Sequence, residues 1–268
     1  MKTIYQLIIT VGIMFMFGCG DNKPLNEDKP LTGERQLYQL KTYYFETSDQ
    51  MKVTDQYLKD AFLPALHRME ITPVGIFKPR PTDDDRSMKT LVLIPFTSFK
   101  QLLTLDGKLS KDEAYSKAGR NYINAPHDDP PYKRIESVIL HAFKNMPKMK
   151  TPELESPRQE RIYELRSYES ATEADLANKI EMFNEGGEVS LFKQLEFNPV
   201  FFGEVVSGSQ MPNMMYMTTF SNQESREAHW NAFRESPEWE KLKAEPQYQN
   251  NVSHIDMHFL YPTDYSDY

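Results

Sequence analysis

The amino-acid sequence predicts an α+β fold in which two tandem repeats, each with the element order βαββαβ, pack into one barrel. Three observations predict it. Short motifs recur in the same order in both halves of the chain, strand-like and helix-like patterns alternate in the same way in both halves, and a proline-containing segment separates the halves. Each repeat alone would leave one sheet face bare, and a second repeat supplies the missing cover.

The internal duplication rests on four pairs of matching segments. The clearest pair is 37–43, LYQLKTY, and 162–168, IYELRSY. The other three pairs follow at nearly the same spacing: 70–74 with 196–200, 96–98 with 220–222, and 135–136 with 255–256. Matches in one order and at one spacing indicate a duplicated unit. Segment 144–159 contains three prolines and is typical of a linker.

The first repeat begins with a predicted strand at 37–44, where apolar residues alternate. Apolar residues at three- and four-residue steps predict a helix near 49–70, which Pro64 should bend or break. The remaining strands are predicted at 74–79, 90–95 and 135–143.

The second repeat has the same order. A strand at 161–168 precedes a helical region at 173–196, which Gly186-Gly187 should interrupt. Ser221-x-x-Glu224 matches a capping box, so a further helix is expected to start there, and Ser236-Pro237 should start another. The remaining strands are predicted at 200–207, 214–220 and 252–260.

This element order is that of the ferredoxin-like fold, whose antiparallel strands are arranged 4-1-3-2 with helices on one face. We therefore expect the two helix-free faces to meet and form a barrel-like core.

The N-terminus has the features of an export signal. Lys2 precedes an apolar run at 7–17 that is too short to cross a membrane, because eleven helical residues span roughly 16 Å. Met16-Phe17-Gly18-Cys19 resembles the lipobox of bacterial lipoproteins, and this resemblance implies cleavage before Cys19 and its acylation. The alternative is an ordinary signal peptide with an incidental cysteine.

The expected localisation is the bacterial cell envelope, with the protein attached to the membrane through lipidated Cys19 and facing the periplasm or the cell surface. The domain boundaries follow: a signal peptide at 1–18, a lipidated flexible tether at 19–34, a first ferredoxin-like domain at 35–146, a linker at 147–159 and a second ferredoxin-like domain at 160–268.

Composition narrows the function classes. The formal charge is −8 and the pI is near 5.4, and lysine and arginine are scattered, so we exclude nucleic acid as a partner. The single cysteine excludes an intramolecular disulfide and a cysteine-based zinc cluster. None of the sequence motifs for nucleotide, zinc-protease or serine-hydrolase sites is present, and we expect no cofactor.

Several motifs of the second repeat resemble the NIPSNAP family: 163–168 (YELRSY), 216–220 (YMTTF), Arg226-x-x-His229-Trp230-x-x-Phe233, and Pro237-x-Trp239. The resemblance covers most of 161–260, and the duplication extends it to roughly 36–143. It implies the dimeric α/β-barrel fold shared with small antibiotic-biosynthesis-type monooxygenases, in which two protomers form the barrel. Here the two repeats of one chain would do so. The family has no settled enzymatic activity, so the resemblance implies a fold without a reaction.

Alternation along the strands predicts which side chains enter the barrel. On the last strand, Ile255, Met257 and Phe259 should face the helices, which leaves His254, Asp256 and His258 for the interior. On the first strand of the second repeat, Tyr163 and Leu165 should face the helices. The other ligand-binding candidates are therefore Glu164, Arg166 and Tyr168, with Gln39, Lys41, Tyr43 and Glu136 at the corresponding positions of the first repeat. No catalytic residue is assigned.

Two alternatives qualify this predicted pocket. Arg166 and Asp256 form either a structural ion pair across neighbouring strands or a ligand contact. The spacing His254-x-Asp256-x-His258 suggests a metal, but in a strand the two histidine Cα atoms lie about 13 Å apart, too far to share one ion. We therefore expect no metal site.

The favoured function is a non-enzymatic, membrane-tethered protein that binds a small molecule or a partner between or on its repeats. One alternative is a cofactor-free monooxygenase or isomerase that uses His254 or His258 as a base beside Arg166 and Tyr168. Another is a structural protein that assembles into homo-oligomers. A cavity of a few hundred Å³ would favour chemistry, and a packed interior would favour binding or structure.

Overall fold

The computed structural model describes residues 35–81 and 88–268. The predicted signal peptide at 1–18, the lipidation site Cys19 and the tether to residue 34 lie outside the described residues. None of the helices within the described ranges combines the length and the apolar character needed to cross a membrane.

Within residues 35–81 and 88–146, the first repeat contains four strands and five helices. Its strands are β1 (Leu37–Tyr44), β2 (Gly75–Pro79), β3 (Lys89–Phe96) and β4 (Arg134–Ala142). Its helices are α1 (Ser48–Tyr57), α2 (Leu63–Arg68), α3 (Phe99–Leu109), α4 (Glu113–Ala118) and α5 (Arg120–Ile123), and a π-helical turn, Leu58–Phe62, joins α1 to α2.

The second repeat has the same plan. Its strands are β5 (Ile162–Glu169), β6 (Phe201–Ser207), β7 (Asn213–Phe220) and β8 (His254–Pro262). Its helices are α6 (Glu173–Asn184), α7 (Glu188–Gln194), α8 (Gln223–Glu235) and α9 (Pro237–Ala244), followed by a short 3-10 helix, Pro246–Tyr248.

All eight strands form one closed barrel in the order β1-β3-β2-β8-β5-β7-β6-β4. Within each repeat the order is 4-1-3-2, so the predicted ferredoxin-like arrangement is confirmed. Two pairings between the repeats, β2 with β8 and β4 with β6, close the sheet. Closure leaves neither repeat with an unpaired sheet edge.

The helix interruptions have local causes. At the predicted break near Pro64 the helix continues through the π-helical turn, in which the Leu63 N–H bonds to the Leu58 carbonyl. This wider turn accommodates a proline that cannot donate a hydrogen bond and would crowd the preceding turn of an α-helix. In the second repeat the predicted interruption is confirmed, because Gly187 has a φ of +93° between α6 and α7.

The helix-free faces of both repeats form the barrel core, as predicted. This core contains side chains from every part of the sheet, among them Tyr38, Leu40, Leu93, Leu140, Leu165, Met217 and Leu260. The C-terminal Tyr268 is buried at one end, where its ring centroid lies 5.6 Å from Phe77 and 6.3 Å from Tyr163. That end of the barrel is filled by aromatic rings.

On the last strand the predicted interior face is confirmed, because Asp256 and His258 line a cavity in the barrel. On its other face Phe259 packs against the helix-side core, whereas Ile255 and Met257 are 47% and 43% exposed.

The face predicted for the first strand of each repeat is wrong. Tyr163 and Leu165 lie in the barrel core, and Leu165 pairs with His258 across β5 and β8. Paired residues share a face, so Glu164 and Arg166 point toward the helices instead. The sequence-based prediction was one position out of register for these strands. A shift of one residue moves every side chain of a strand to the opposite face of the sheet.

Of the remaining candidates, Glu136 lies inside the barrel and the others lie on the helix side of the sheet. Tyr168 packs in the core under the helices of the second repeat, and Tyr43 in that of the first. Gln39 and Lys41 share the face of Tyr43, because alternate residues of a strand lie on one side. Glu136 pairs with Thr42 and remains inside the barrel.

Candidate functional site

The open end of the barrel contains a small polar cavity, which we call the mouth. It lies where β1 and β5 end and where β4 and β8 begin. The cavity has a volume of about 100 Å³. Its wall is apolar on one side, formed by Leu40, Leu91, Val138, Leu165 and Met215. Its polar lining includes Thr42, Lys89, Glu136, Ser167, Asp256 and His258, so both repeats contribute.

Glu136 is held at the mouth from two directions. Its Oε2 atom accepts a hydrogen bond of 2.9 Å from the Tyr44 hydroxyl, and the Ser209 hydroxyl donates to its Oε1 atom. Tyr44 ends β1 of the first repeat, whereas Ser209 lies in the β6–β7 loop of the second. Because both repeats supply donors, the position of this carboxylate depends on the closed barrel.

Asp256 and its neighbours form the rim of the mouth. The Nε2 atom of His254 lies 3.1 Å from Oδ1 of Asp256, and these side chains are 58% and 38% exposed. Glu169 pairs with His254 across β5 and β8. One potential ligand atom from each of Glu169, His254 and Asp256 lies within 4.8 Å of the others. This trio, which we call the rim triad, is therefore an arrangement that can hold a metal ion.

The sequence-predicted candidates Glu164, Arg166 and Tyr168 form a separate buried network under the helices. Glu164 is completely buried. It accepts hydrogen bonds from Arg166 Nε (2.6 Å), Arg226 Nε (2.7 Å) and Trp230 Nε1 (2.9 Å). A buried carboxylate bound by two guanidinium groups and an indole is fully satisfied. This arrangement therefore has a structural role.

Arg166 connects that carboxylate to two tyrosines. Its guanidinium lies 3.9 Å from the Trp230 ring centroid and donates to the Tyr168 hydroxyl at 3.2 Å. The Tyr168 and Tyr216 hydroxyls are 2.9 Å apart. Burial, together with the neighbouring Tyr168, raises the pKa of Tyr216 well above its ordinary value. Arg166 therefore pairs with Glu164. A structural pair with Asp256, one of the two alternatives, is wrong because Asp256 lies on the barrel face of the sheet.

The corresponding positions of the first repeat lack this network. Gln39 donates to the Ser137 hydroxyl at 2.9 Å, and the Lys41 ammonium lies 5.4 Å from the ring centroids of both Tyr43 and Phe62. The candidate residues thus separate into three places, and only Glu136, His254, Asp256 and His258 meet at the mouth.

Sequence reasoning missed Glu169, Lys89 and Ser209. A signal for Glu169 was available, because the 4-1 neighbour relation of the ferredoxin-like order places the end of the first strand opposite the start of the last. Lys89 and Ser209 come from a strand and a loop of different repeats, and only barrel closure brings them together.

Two larger grooves flank the linker, and they differ from the mouth in their lining residues. One of about 470 Å³ is lined by Lys150, Glu153, Lys193 and Glu196, and one of about 540 Å³ is lined by Glu153, Glu155, Glu196 and His229. Both are open to solvent along the linker. Neither contains the strand residues of both repeats that converge at the mouth.

Comparisons with known proteins show a family match for the second repeat and a shared fold for the chain. Residues 163–267 match the sequence profile of the NIPSNAP family. No curated protein sequence matches the chain. A structure from Lactobacillus acidophilus, provisionally assigned as a monooxygenase, is 12% identical and covers 85% of this chain and 94% of its own, with a TM-score of 0.56.

Two further solved structures are similar. A provisionally assigned monooxygenase from Fusobacterium nucleatum is 9% identical, with a TM-score of 0.54, and covers 85% of this chain and 93% of its own. A NIPSNAP-like domain protein from Burkholderia xenovorans is 14% identical, with a TM-score of 0.36, and covers 40% of this chain and 89% of its own. At these identities the two monooxygenase-like structures establish a shared fold and nothing about the reaction.

Proposed function

We propose that this protein, whose residues 163–267 match the NIPSNAP family, is an exported, lipid-anchored binding protein whose barrel mouth takes a small polar ligand. The observation that carries the proposal is the convergence of polar side chains from both repeats on one cavity. Glu136 comes from the first repeat, and Asp256 and His258 come from the second. Convergent polar groups above an apolar wall are typical of binding sites.

The size of the cavity limits what it can bind. Ligand pockets for organic molecules of ordinary size measure roughly 300–1,000 Å³, whereas the mouth measures about 100 Å³. A molecule of a few heavy atoms, or the polar end of a longer molecule, fits this volume. The same comparison disfavours the monooxygenase alternative at the mouth, because an organic substrate and its reaction partner need more room.

Hydrogen-bonding groups at the mouth favour a polar ligand. The Ser167 hydroxyl and the Asn213 side chain are already bonded to each other, at 2.7 and 3.1 Å. The Glu136 and Asp256 carboxylates and the His258 ring line the remaining space. A ligand that carries both a donor and an acceptor would complement this mixed lining.

The binding proposal is tested by thermal unfolding of the full-length protein against a panel of small carboxylates, phosphates, amines and amino acids. A ligand at a hundred times its Kd should stabilise the fold by about 2.7 kcal/mol, which raises Tm by roughly 5–10 °C for a chain of this size. We expect the paired substitutions Glu136→Gln and Asp256→Asn to abolish the shift for the matching class. Glu160→Gln, an exposed change outside the mouth, should preserve it. A panel in which no class raises Tm would contradict the proposal.

The anchoring proposal has a separate test. We expect Cys19→Ser to move the protein from the membrane fraction to the soluble fraction, because the lipobox-like segment makes Cys19 the acylation site. Labelling with a radioactive fatty acid checks this directly. Acylation that persists in the Cys19→Ser variant would overturn the anchor.

A further inference from the structure

We propose that the rim triad, Glu169, His254 and Asp256, binds a divalent transition-metal ion beside the mouth cavity. This inference extends the proposed function, because Asp256 belongs both to the triad and to the cavity lining. The proposed site differs from the sequence-based expectation of no metal site, which rested on the distance between His254 and His258. The third ligand comes from the neighbouring strand rather than from further along the same strand.

Strand pairing brings the three residues together. Glu169 ends β5, and His254, at the start of β8, is its register partner. Asp256 lies two residues further along β8, on the same face as His254. The backbone at Glu169 is held in place, because its carbonyl accepts hydrogen bonds from the Ser253 N–H at 2.8 Å and the Ser253 hydroxyl at 3.2 Å. The triad is therefore carried by paired strands rather than by a free loop.

The distances suit one ion. Ligand atoms bound at about 2.0–2.2 Å around a tetrahedral ion lie roughly 3.3–3.6 Å from one another. Nε2 of His254 and Oδ1 of Asp256 are 3.1 Å apart, and the three ligand atoms of the triad lie within 4.8 Å of one another. Small side-chain rotations bring all three within coordination distance.

Glu169 supplies an independent observation. Its Oε1 atom is buried and has no hydrogen-bond partner among the described residues. An unsatisfied buried carboxylate oxygen is costly, whereas coordination to a cation would compensate it. By contrast, the buried Glu164 carboxylate accepts bonds from Arg166, Arg226 and Trp230. Glu169 therefore differs from a structural carboxylate in the way expected of a metal ligand.

The donor set indicates the class of ion. One imidazole nitrogen and two carboxylates suit Zn²⁺ and similar first-row ions, whereas Ca²⁺ and Mg²⁺ prefer all-oxygen sites with more ligands. Three protein ligands leave at least one coordination position for water or for an oxygen atom of a bound molecule. Asp256 also faces the cavity. A small ligand that carries a carboxylate or phosphate group could therefore bind the ion and occupy the mouth at the same time.

The test is isothermal titration calorimetry of ZnCl₂ into the full-length protein, purified without a histidine tag and treated with EDTA. We expect one site, with MgCl₂ giving no comparable heat. His254→Gln and Glu169→Gln should each weaken Zn²⁺ binding at least tenfold. The matched control is His127→Gln, because His127 is 98% exposed and lies 4.0 Å from the single carboxylate of Asp128. It should leave Zn²⁺ binding unchanged.

Two results would overturn the metal site: no Zn²⁺ binding at millimolar concentration, or binding that both rim variants leave within twofold of the parent protein. Because His254 is exposed, His254→Gln should leave the protein folded. This variant therefore still tests the metal site if Glu169→Gln unfolds the protein. Glu136→Gln separates the two proposals, because it changes the cavity without removing a triad ligand. If panel ligands still bind while Zn²⁺ does not, only the metal inference fails.

Discussion

At the scale of single residues, Glu164 connects helix α8 to the sheet of the second repeat. It bonds to Arg166 on its own strand and to Arg226 and Trp230 on α8, so it attaches that helix to the sheet. Arg166 and Arg226 are 15% and 14% exposed and depend on this carboxylate for charge compensation. The resemblance to NIPSNAP included Glu164, Arg166, Arg226 and Trp230, and the structure gives them one joint structural role.

We expect Glu164→Gln to destabilise the fold by about 3–5 kcal/mol, because it leaves two largely buried guanidinium groups without an anion. Urea unfolding measures the loss. The control is Glu235→Gln, since Glu235 lies exposed on α8, and its effect should be within about 0.5 kcal/mol of zero. A similar small effect for Glu164→Gln would contradict the structural role.

The separation of Arg166 from Asp256 gives a second prediction at this scale. Because the two side chains lie on opposite faces of the sheet, the effects of Arg166→Met and Asp256→Asn on the free energy of unfolding should add within about 0.5 kcal/mol. Thermal melts of both single variants and the double variant measure the coupling. If the double variant recovers the loss caused by Arg166→Met, the two residues interact and the face assignment is wrong.

Sequence reasoning placed the strands closely but assigned their faces less well. The strand predicted at 37–44 is Leu37–Tyr44, and that predicted at 200–207 is Phe201–Ser207. In β5 both faces are buried, one in the barrel and one under helices, so apolar alternation does not identify the interior. Glu164 appeared suited to a polar pocket because its buried partners on α8 are distant in sequence.

The helices illustrate how local sequence rules act at the scale of elements. Gly187 has a φ of +93°, and a Cβ atom there would meet nothing within 4 Å. Substitution of Gly187 should therefore destabilise the fold through its backbone conformation and not through a steric clash. Gly107 lies inside α3, and a Cβ atom there would also meet nothing within 4 Å. The two glycines differ in backbone conformation but not in available space.

We expect opposite results from the same substitution at these positions. Gly187→Ala should lower the free energy of unfolding by about 1–2 kcal/mol, because a left-handed backbone disfavours a side chain. Gly107→Ala should raise it by about 0.5–1 kcal/mol, because alanine favours a helix. Urea unfolding of both variants measures the difference. Equal effects of the same sign would show that the α6–α7 interruption does not require glycine.

At the scale of the whole molecule, the two repeats form one folded unit. The β2–β8 and β4–β6 pairings join them, and their helix-free faces share the barrel core. The mouth depends on the same closure, because Tyr44 and Ser209 hold Glu136 from different repeats. The duplication allowed this architecture to be predicted from sequence, whereas the composition of the mouth required knowing which strands meet.

The most direct test of this account is the oligomeric state of the second repeat alone, residues 160–268, measured by analytical ultracentrifugation. Without the first repeat, its barrel face would expose the apolar side chains of Leu165, Met217 and Leu260. Burial of such surface contributes about 25 cal/mol per Å², so the isolated repeat should self-associate or fail to fold. We expect a dimer or an aggregated, unstable chain. A monomer that unfolds cooperatively with high stability would contradict it.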